Sequence, residues 1–376
     1  MGLMNFSWLF PDTSDSGKKM LRFSEFIFSL NLMWPCMENR KILLSSCAAT
    51  TSLNIFILYG ITGYVVDNIN EFDKMTYALF MIALPILPML KVPAIAFKSK
   101  EFKKIISQIY TEYWPSDIMD MVDKDGFKAI YTVGFFVIGT LWGLGVVFTT
   151  AIWVRPLLFS EITLPLPSIY PSGWINDSTF WVFYALQALS VGFVILIGTV
   201  SADFLILSVC LYTTNQFYIL QQCFLVYNTD DMAEVNKKLR VLDKEDMRKY
   251  YGYPEKEYLV RCVKHHAMLL RLMKDINKAF SPIELGHLFI TIFGVCLGTF
   301  TLSNNEAESF LRILALIYTI GFSLQLSIDC VTGNELYYQV LYLIPDTVLP
   351  FQKKSVTPAQ FSLHYLTASK SSAFTD

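Results

Sequence analysis

The sequence predicts an all-α membrane protein of seven transmembrane helices, with a cytosolic N-terminus, an extracellular C-terminus and long cytosolic helical extensions of spans four and five. Three observations predict it. Of the 376 residues, 53% are hydrophobic and only 16% charged, and the mean hydropathy is +0.42, too apolar for an ordinary soluble domain. Six stretches run almost free of Asp, Glu, Lys and Arg over roughly the 20 residues a helix needs to cross a bilayer. The cations between those stretches fall in alternate connections.

Taken in order, Met1–Arg40 mixes aromatics with Asp12, Asp15, Lys18, Lys19, Arg22 and Glu25. It lacks a clean apolar region with a cleavage site, so the first span is expected to start insertion itself. Ile42–Val66 is that span. Met75–Phe97 is the second, interrupted by Lys91 near one end and expected to bend at Pro85 and Pro88. Ala129–Val154 is the third. The fourth begins at Phe180 and is continuous to Ala202, after which Asp203 precedes another uncharged run to Thr229. Thr213, Thr214, Asn215, Gln216, Gln221 and Gln222 suit a helix leaving the bilayer, so this run reads as one span with an extension. Leu285–Asn305 is the fifth and Ser309–Ile328 the sixth, with Arg312 able to snorkel at one end. Val356–Phe374, which contains His364 and Lys370, suits a seventh helix only where it faces protein or water.

Charge placement orients these spans. The N-terminal segment, the connection between spans two and three, and Thr213–Pro282 together hold 23 Lys and Arg, against 2 in the other connections. The positive-inside rule then puts the N-terminus in the cytosol. Dividing the fourth run into two spans would turn the segment carrying twelve of those cations outward. The sequon Asn176-Asp177-Ser178 falls in a loop assigned outside, making Asn176 a glycosylation candidate, and the sequon at Asn5 falls inside. Seven scattered cysteines form no disulfide framework, and none lies in an outer loop. A net charge of -2 offers no basic field for nucleic acid, so the bilayer is the partner the composition implies.

Candidate chemistry is sparse. In "CVKHHAMLLRL", Cys262 and His266 are spaced to share a helix face and His265 points about 100° away. A structural zinc site wants four ligands and no second His/Cys cluster completes one, so no metal is expected. Leu259, Cys262, Met268, Leu269, Leu272, Met273 and Ile276 recur at helical spacing between Lys264, Arg271, Lys274 and Lys278, which predicts an amphipathic helix in need of a partner surface. No nucleophile elbow, phosphate-binding loop or zinc-protease motif occurs, so neither an enzyme nor a cofactor is expected. Gly139 and Gly143 in the third span suit close helix packing. Asp203, alone in its run, reads either as functional or as reaching water near the cytosolic end. Aromatic side chains in the outer halves of the spans could wall an apolar cavity with a few polar handles, suited to a small volatile or lipophilic ligand. The candidate ligand-binding residues are Phe80, Met81, Trp142, Phe148, Tyr184, Gln187 and Tyr318.

Several of these segments are familiar together. "CVKHHAMLLRLMKDINKAFSPIELGHLFITIFGVCLGTF" resembles the Cys-x-x-His-His segment of the insect odorant receptor family, matching at Cys262, His265 and His266. "DFLILSVCLYTTNQFYILQQ" is similar to the end of that family's fourth helix at Asp203, Gln216, Phe217 and Leu220. "QLSIDCVTGNEL" is similar to the end of the sixth at Gln325, Cys330, Gly333 and Leu336, and Gln352-Lys353 to the pair before the seventh. The stretch between Leu336 and Gln352 is shorter than the family's usual one, giving an atypically shortened C-terminal region.

The resemblance implies a subunit of an odour-gated, non-selective cation channel in the plasma membrane of a sensory neuron dendrite, forming a tetramer with the olfactory coreceptor. It implies a cytosolic segment at 1–41, spans one to four within 42–212, a cytosolic helical anchor at 213–282, spans five and six within 283–333, and a shortened anchor and pore helix at 334–376. Leu363 and Leu366 become the pore-lining candidates, and a small volatile organic molecule the expected ligand. A gustatory-type chemoreceptor channel and a G-protein-coupled receptor are the alternatives. The first is opposed by the missing Thr-Tyr-x-x-x-x-x-Gln-Phe ending, the second by the charge asymmetry and the lack of outer-loop cysteines.

Overall fold

The computed structural model describes residues 16–115, 118, 124–158, 163–242, 253–304 and 309–353. Its elements are α1 (Ser16–Leu30), α2 (Arg40–Asp67), α3 (Phe72–Phe97), α4 (Ser99–Glu112), α5 (Lys124–Leu158), α6 (Phe180–Leu189), a π-helical stretch Ser190–Ile197, α7 (Gly198–Val226), α8 (Met232–Leu242), α9 (Pro254–Ser303) and α10 (Ser309–Lys353). The first, second, third and sixth expected spans each fall within one helix of this series, the fourth lies within the continuous run of α6, the π-helical stretch and α7, and the fifth falls within α9 as far as Ser303. Among the described residues, five helices are long and apolar enough to cross a membrane, and α5 contributes the shorter apolar stretch Gly139–Val154. The expected seventh span, with Leu363 and Leu366, lies outside the described residues, as does Asn5.

Three rods far exceed a bilayer. The continuous helix Phe180–Val226 has 47 residues, about 70 Å at ~1.5 Å per residue, against a hydrocarbon core of ~30 Å. It runs as one piece, as the Thr/Asn/Gln-rich exit suggested. The 50-residue α9 carries the amphipathic "CVKHHAMLLRL" helix straight into the fifth span. The 45-residue α10 extends the sixth span as well, an extension the sequence reading did not include. Its polar residues after Ile328 continue the helix because they find partners on it: Gln339 Nε2 donates to Glu335 Oε1 at 2.9 Å and accepts from Gln221 through its Oε1 at 3.0 Å.

Proline inside these rods is accommodated by specific contacts. Pro282 in α9 lacks the N–H that would bond the carbonyl four residues back. That carbonyl, Lys278 O, accepts from Lys98 Nζ at 3.3 Å, and Ala279 O accepts from the same ammonium at 3.2 Å. The division expected at residues 282 and 283 is therefore no break in the helix. Pro85, Pro88 and Pro93 all lie within the unbroken α3.

Around the Phe180–Val226 rod pack α1, α3, α5, α9 and α10. The rod is buried from Ser190 onward, with 23 residues of α7 from Gly198 to Phe224 inside the protein, whereas α6 buries only Gln187. By contrast α2 buries only a stripe, Leu43, Cys47, Asn54, Ile57, Gly60 and Ile61, at the spacing of one helix face, and leaves the rest to lipid. In α4 the buried Phe102, Ile105, Ile106 and Ile109 alternate with exposed Lys100, Lys103 and Lys104. Gly139 and Gly143 of α5 face open space within this chain, with nothing within 4 Å of a Cβ built on either, so they do not mediate the close packing the motif suggested.

The apolar core divides in two. One cluster gathers Phe102, Ile105, Leu205, Val209, Tyr212, Phe217, Cys262 and Leu269 at the charge-rich end of the rods. A second gathers Phe80, Met81, Leu84, Phe148, Val191, Ile195 and Tyr318. Lys91 falls in sequence between the residues that α3 gives to the two clusters, Asp203 lies where the rod passes from Ile195 of the second to Ala202 and Leu205 of the first, and the two form a polar seam there. At the far end the loop before α6 lies on α2, where Ile169 N–H donates to Gly60 O at 2.9 Å. A Cβ at Gly63 would stand 2.6 Å from the Ile169 carbonyl oxygen, so only glycine admits this approach.

Candidate functional site

Helices α3, α5, α10 and the π-helical stretch running into α7 line a cavity of about 110 Å³. Its walls are aliphatic and aromatic, with Leu84, Leu87, Phe148, Ile195, Tyr318 and Phe322 prominent. Tyr318 stacks on Phe322 at 4.1 Å and meets Phe80 edge-on at 4.3 Å, and Phe148 tilts against it at 5.6 Å. Phe80 and Met81 thus stand in the apolar cluster behind the wall. Toward the charge-rich end the cavity closes on Thr199, Asp203 and Gln325.

The other three ligand-binding candidates stand elsewhere. Gln187 is fully buried but pins the loop before α6: its Oε1 accepts from Leu166 N–H at 2.9 Å and its Nε2 donates to Ser168 Oγ at 2.7 Å. Tyr184 donates its hydroxyl to Trp153 O at 2.5 Å and packs beside Phe180 and Trp181. Trp142 packs on a third cluster, formed by Met20, Ile27, Phe204 and Leu207. All three were placed near the cavity because their helices are. Only the rotation of each helix, set by its neighbours, decides which face meets the cavity. Asn176 is exposed in the turn before α6, its Oδ1 accepting from Ser178 and Thr179 N–H at 3.1 and 3.0 Å.

Below the cavity lies the polar seam. Asp203 does not reach water: it is 8% exposed, pairs through Oδ1 with the fully buried Lys91 ammonium and accepts through Oδ2 from Gln325 Nε2. One turn further along α10, Asp329 stands 3.3 Å from His287 Nδ1, and Glu284 stands 3.7 Å from the same nitrogen. Three carboxylates therefore face one ammonium and one imidazole. Among the described residues Asp203, His287 and Asp329 also bring ligand atoms within 4.8 Å of one another. Each Asp203 oxygen already accepts one hydrogen bond, Oδ1 from Lys91 and Oδ2 from Gln325. Sequence reasoning singled out Asp203 and Gln325 but missed Lys91 and His287. The signal was present, because a lone lysine in one span and a lone aspartate in another are a natural pair where unpaired charge is costly. Cys330 and Gly333 lie further down α10 on the wall of an open groove of about 820 Å³ shared with α7 and α9.

At the charge-rich end the marker residues meet one another. Gln216 brackets the backbone of Trp114, accepting from its N–H at 2.9 Å and donating to its carbonyl at 2.8 Å. His265 stacks on the Trp114 indole at 3.9 Å and 8°, with Nε2 3.2 Å from Gln216 Oε1. His266 meets Phe217 edge-on at 6.3 Å. Cys262 packs near Tyr258, whose hydroxyl donates to Cys223 O at 2.7 Å. The turn away of His265 from the Cys262 face does not expose it, because α9 is covered on two sides, and all three residues are buried.

Both histidines lie about 20 residues before the charge-free stretch of the fifth span. Burial, and then the charge of His266, pushes His265 down to about 3, and burial pushes His266 down to about 4. A depressed histidine leaves the unfolded chain holding more protons below about 6.5. Stability is therefore complete above that pH and is lost as pH falls toward 4, each group steepening the loss by up to about 1.4 kcal/mol per unit. Thermal unfolding of purified protein should show this acid limb. A His265→Phe, His266→Phe double variant should flatten it between pH 6.5 and 4, and an unchanged limb would assign it to other groups.

Comparison with known proteins follows the same geometry. A family profile described as "7tm Odorant receptor" matches residues 71–344. Odorant receptor 83a of Drosophila melanogaster is 21% identical over 256 residues, 58% of this chain and 55% of that protein, so the match spans only about half of the relative. Odorant receptor 13a of the same organism is 20% identical over 333 residues, 82% of this chain and 74% of its own length. In fold, the chain is similar to the insect olfactory receptor OR5 from Machilis hrabei in complex with eugenol, with a TM-score of 0.65 and 14% identity over 87% of this chain and 82% of that one. The structure of that receptor described without eugenol gives 0.64 and 12%, over 95% and 89%.

Proposed function

The chain belongs to the 7tm odorant receptor family, and we propose that it is an odorant-binding subunit of a ligand-gated, non-selective cation channel, assembled with the olfactory coreceptor in the plasma membrane. The single observation that carries the reading is the 110 Å³ cavity between the helices, apolar on its walls and polar at one end. Such a cavity suits a small volatile organic molecule. Tyr318, Phe322 and Gln325 line it from α10, the helix that leads toward the expected pore segment. A ligand that packs better against one rotation of α10 than another would shift the population between closed and open arrangements. The buried contacts around Trp114, Gln216 and His265 support an anchor role for the helices at the charge-rich end, and the 23-to-2 cation asymmetry supports placing that end in the cytosol.

The test is co-expression with the coreceptor in a heterologous cell, with whole-cell recording during application of small volatiles. The expected result is an odour-evoked cation current that requires both subunits and survives blockade of G proteins. Abolition by that blockade would overturn the channel reading in favour of a coupled receptor.

A further inference from the structure

We propose that the polar floor of the cavity selects ligands with a neutral, hydrogen-bonding head group, a hydroxyl carried on a short chain or small ring. This deepens the odorant-receptor reading and rests on it. The floor is made by Thr199 and Asp203, one turn apart on α7, and by Gln325 on α10. Thr199 is 8% exposed and its hydroxyl has no hydrogen-bond partner. Elsewhere on this helix Ser208 and Thr213 each donate to the carbonyl four residues back at 2.7 Å, and Thr214 and Asn215, which are likewise unpartnered, do not line this cavity. The corresponding carbonyl for Thr199 belongs to Ile195, inside the π-helical stretch where the carbonyl register is altered. A buried hydroxyl facing an apolar cavity with its bonds unmade is a vacancy in the hydrogen-bond inventory that a ligand can fill.

The chemistry of that ligand follows from its neighbours. A hydroxyl can accept from Thr199 Oγ and donate to Asp203, whose carboxylate offers about four acceptor sites and uses one for Lys91 and one for Gln325. An ammonium would have to lose its water beside Lys91, which already neutralises Asp203. A carboxylate would face Asp203 itself. A hydrocarbon, or an ether lacking the donor, leaves part of the floor unpaired. The volume is somewhat below the ~150 Å³ of an engineered cavity that takes benzene, so the body is a short chain or small ring.

The experiment uses the full chain purified in nanodiscs and a six-carbon aliphatic alcohol bearing a diazirine, with crosslinked peptides mapped by mass spectrometry. Label is expected on the cavity segments of α7 and α10. Hexan-1-ol should protect at about tenfold lower concentration than its methyl ether, a difference equivalent to one hydrogen bond, and hexylamine should protect less well than the alcohol. Thr199→Val, which removes a hydroxyl that bonds nothing in the fold, should erase most of the alcohol's advantage and leave ether protection unchanged. Equal protection by alcohol and ether, stronger protection by the amine, an equal loss for both in Thr199→Val, or label confined to other helices would each overturn the proposal. Selective labelling without odour-evoked current in coreceptor-expressing cells would remove the channel reading and keep the head-group rule. Currents equally sensitive to alcohol and ether would do the reverse.

Discussion

Replacing Lys91 with methionine is expected to destabilise the folded chain by about 3–5 kcal/mol, the range for breaking a buried ion pair by removing one partner. Lys91 is fully buried and its ammonium meets Asp203, which is itself 8% exposed. Methionine fills similar volume, so the loss is electrostatic: the buried Asp203 carboxyl loses its counter-charge and is left with only the Gln325 amide to meet it. Asp329 and Glu284 nearby add like charge and deepen the penalty. Adding Asp203→Leu to Lys91→Met should recover a large part of the loss, because an ion pair replaced by packed apolar groups is often close to neutral. Recovery should stop short of complete, since Gln325 then lacks its acceptor. Thermal unfolding of the purified parent and the two variants measures this, and a single variant as stable as the double would show that the pair does not hold the seam together.

Removing Glu257 should have an effect of the same order at the other end of the molecule. Glu257 is 2% exposed and accepts from Arg240 Nε at 3.0 Å, Arg240 Nη2 at 2.5 Å and Arg261 Nη2 at 2.6 Å. Arg261, 5% exposed, also donates to Asn236 Oδ1 at 2.5 Å. Glu257→Leu removes the carboxylate that this buried guanidinium meets at 2.6 Å, at a cost of about 3–5 kcal/mol. Glu257→Gln keeps an acceptor and should lose only about 1.5–3 kcal/mol. Burial works against the Glu257 charge, but the hydrogen bonds from Arg240 and Arg261 prevail and hold it below the usual value of 4.5. Its contribution is therefore present above about pH 4.5 and is lost as pH falls below it. This window overlaps only the lower end of the one in which His265 and His266 act, so the loss between pH 6.5 and 4.5 belongs to the histidines, and the Gln variant should change the limb only below about pH 4.5.

Some of the site was legible in advance and some was not, for one physical reason. Composition and run length report how much apolar surface a helix carries, which is why the first six spans, the unbroken Phe180–Val226 rod and the amphipathic Tyr258–Phe280 segment could be read directly. The motif residues Gln216, Phe217, His265 and His266 were recognisable by resemblance, and they prove to touch one another. Trp142, Tyr184 and Gln187 were assigned to a cavity they do not line, because depth along a helix can be counted while its rotation cannot. The sixth helix runs on past its charged residues because Gln221 on α7 answers Gln339 on α10, a contact across 118 positions.

By itself, then, the sequence determined that this chain is a bundle of long membrane helices with cations gathered at one end, since those properties depend on each residue's own transfer free energy and on helical periodicity. Tertiary structure alone decided that Lys91 meets Asp203 across 112 positions, that Gln325 joins them, and that Thr199 faces the cavity without a partner. Those facts depend on how each helix is turned and shifted against the others, and that is set by packing between surfaces distant in the chain.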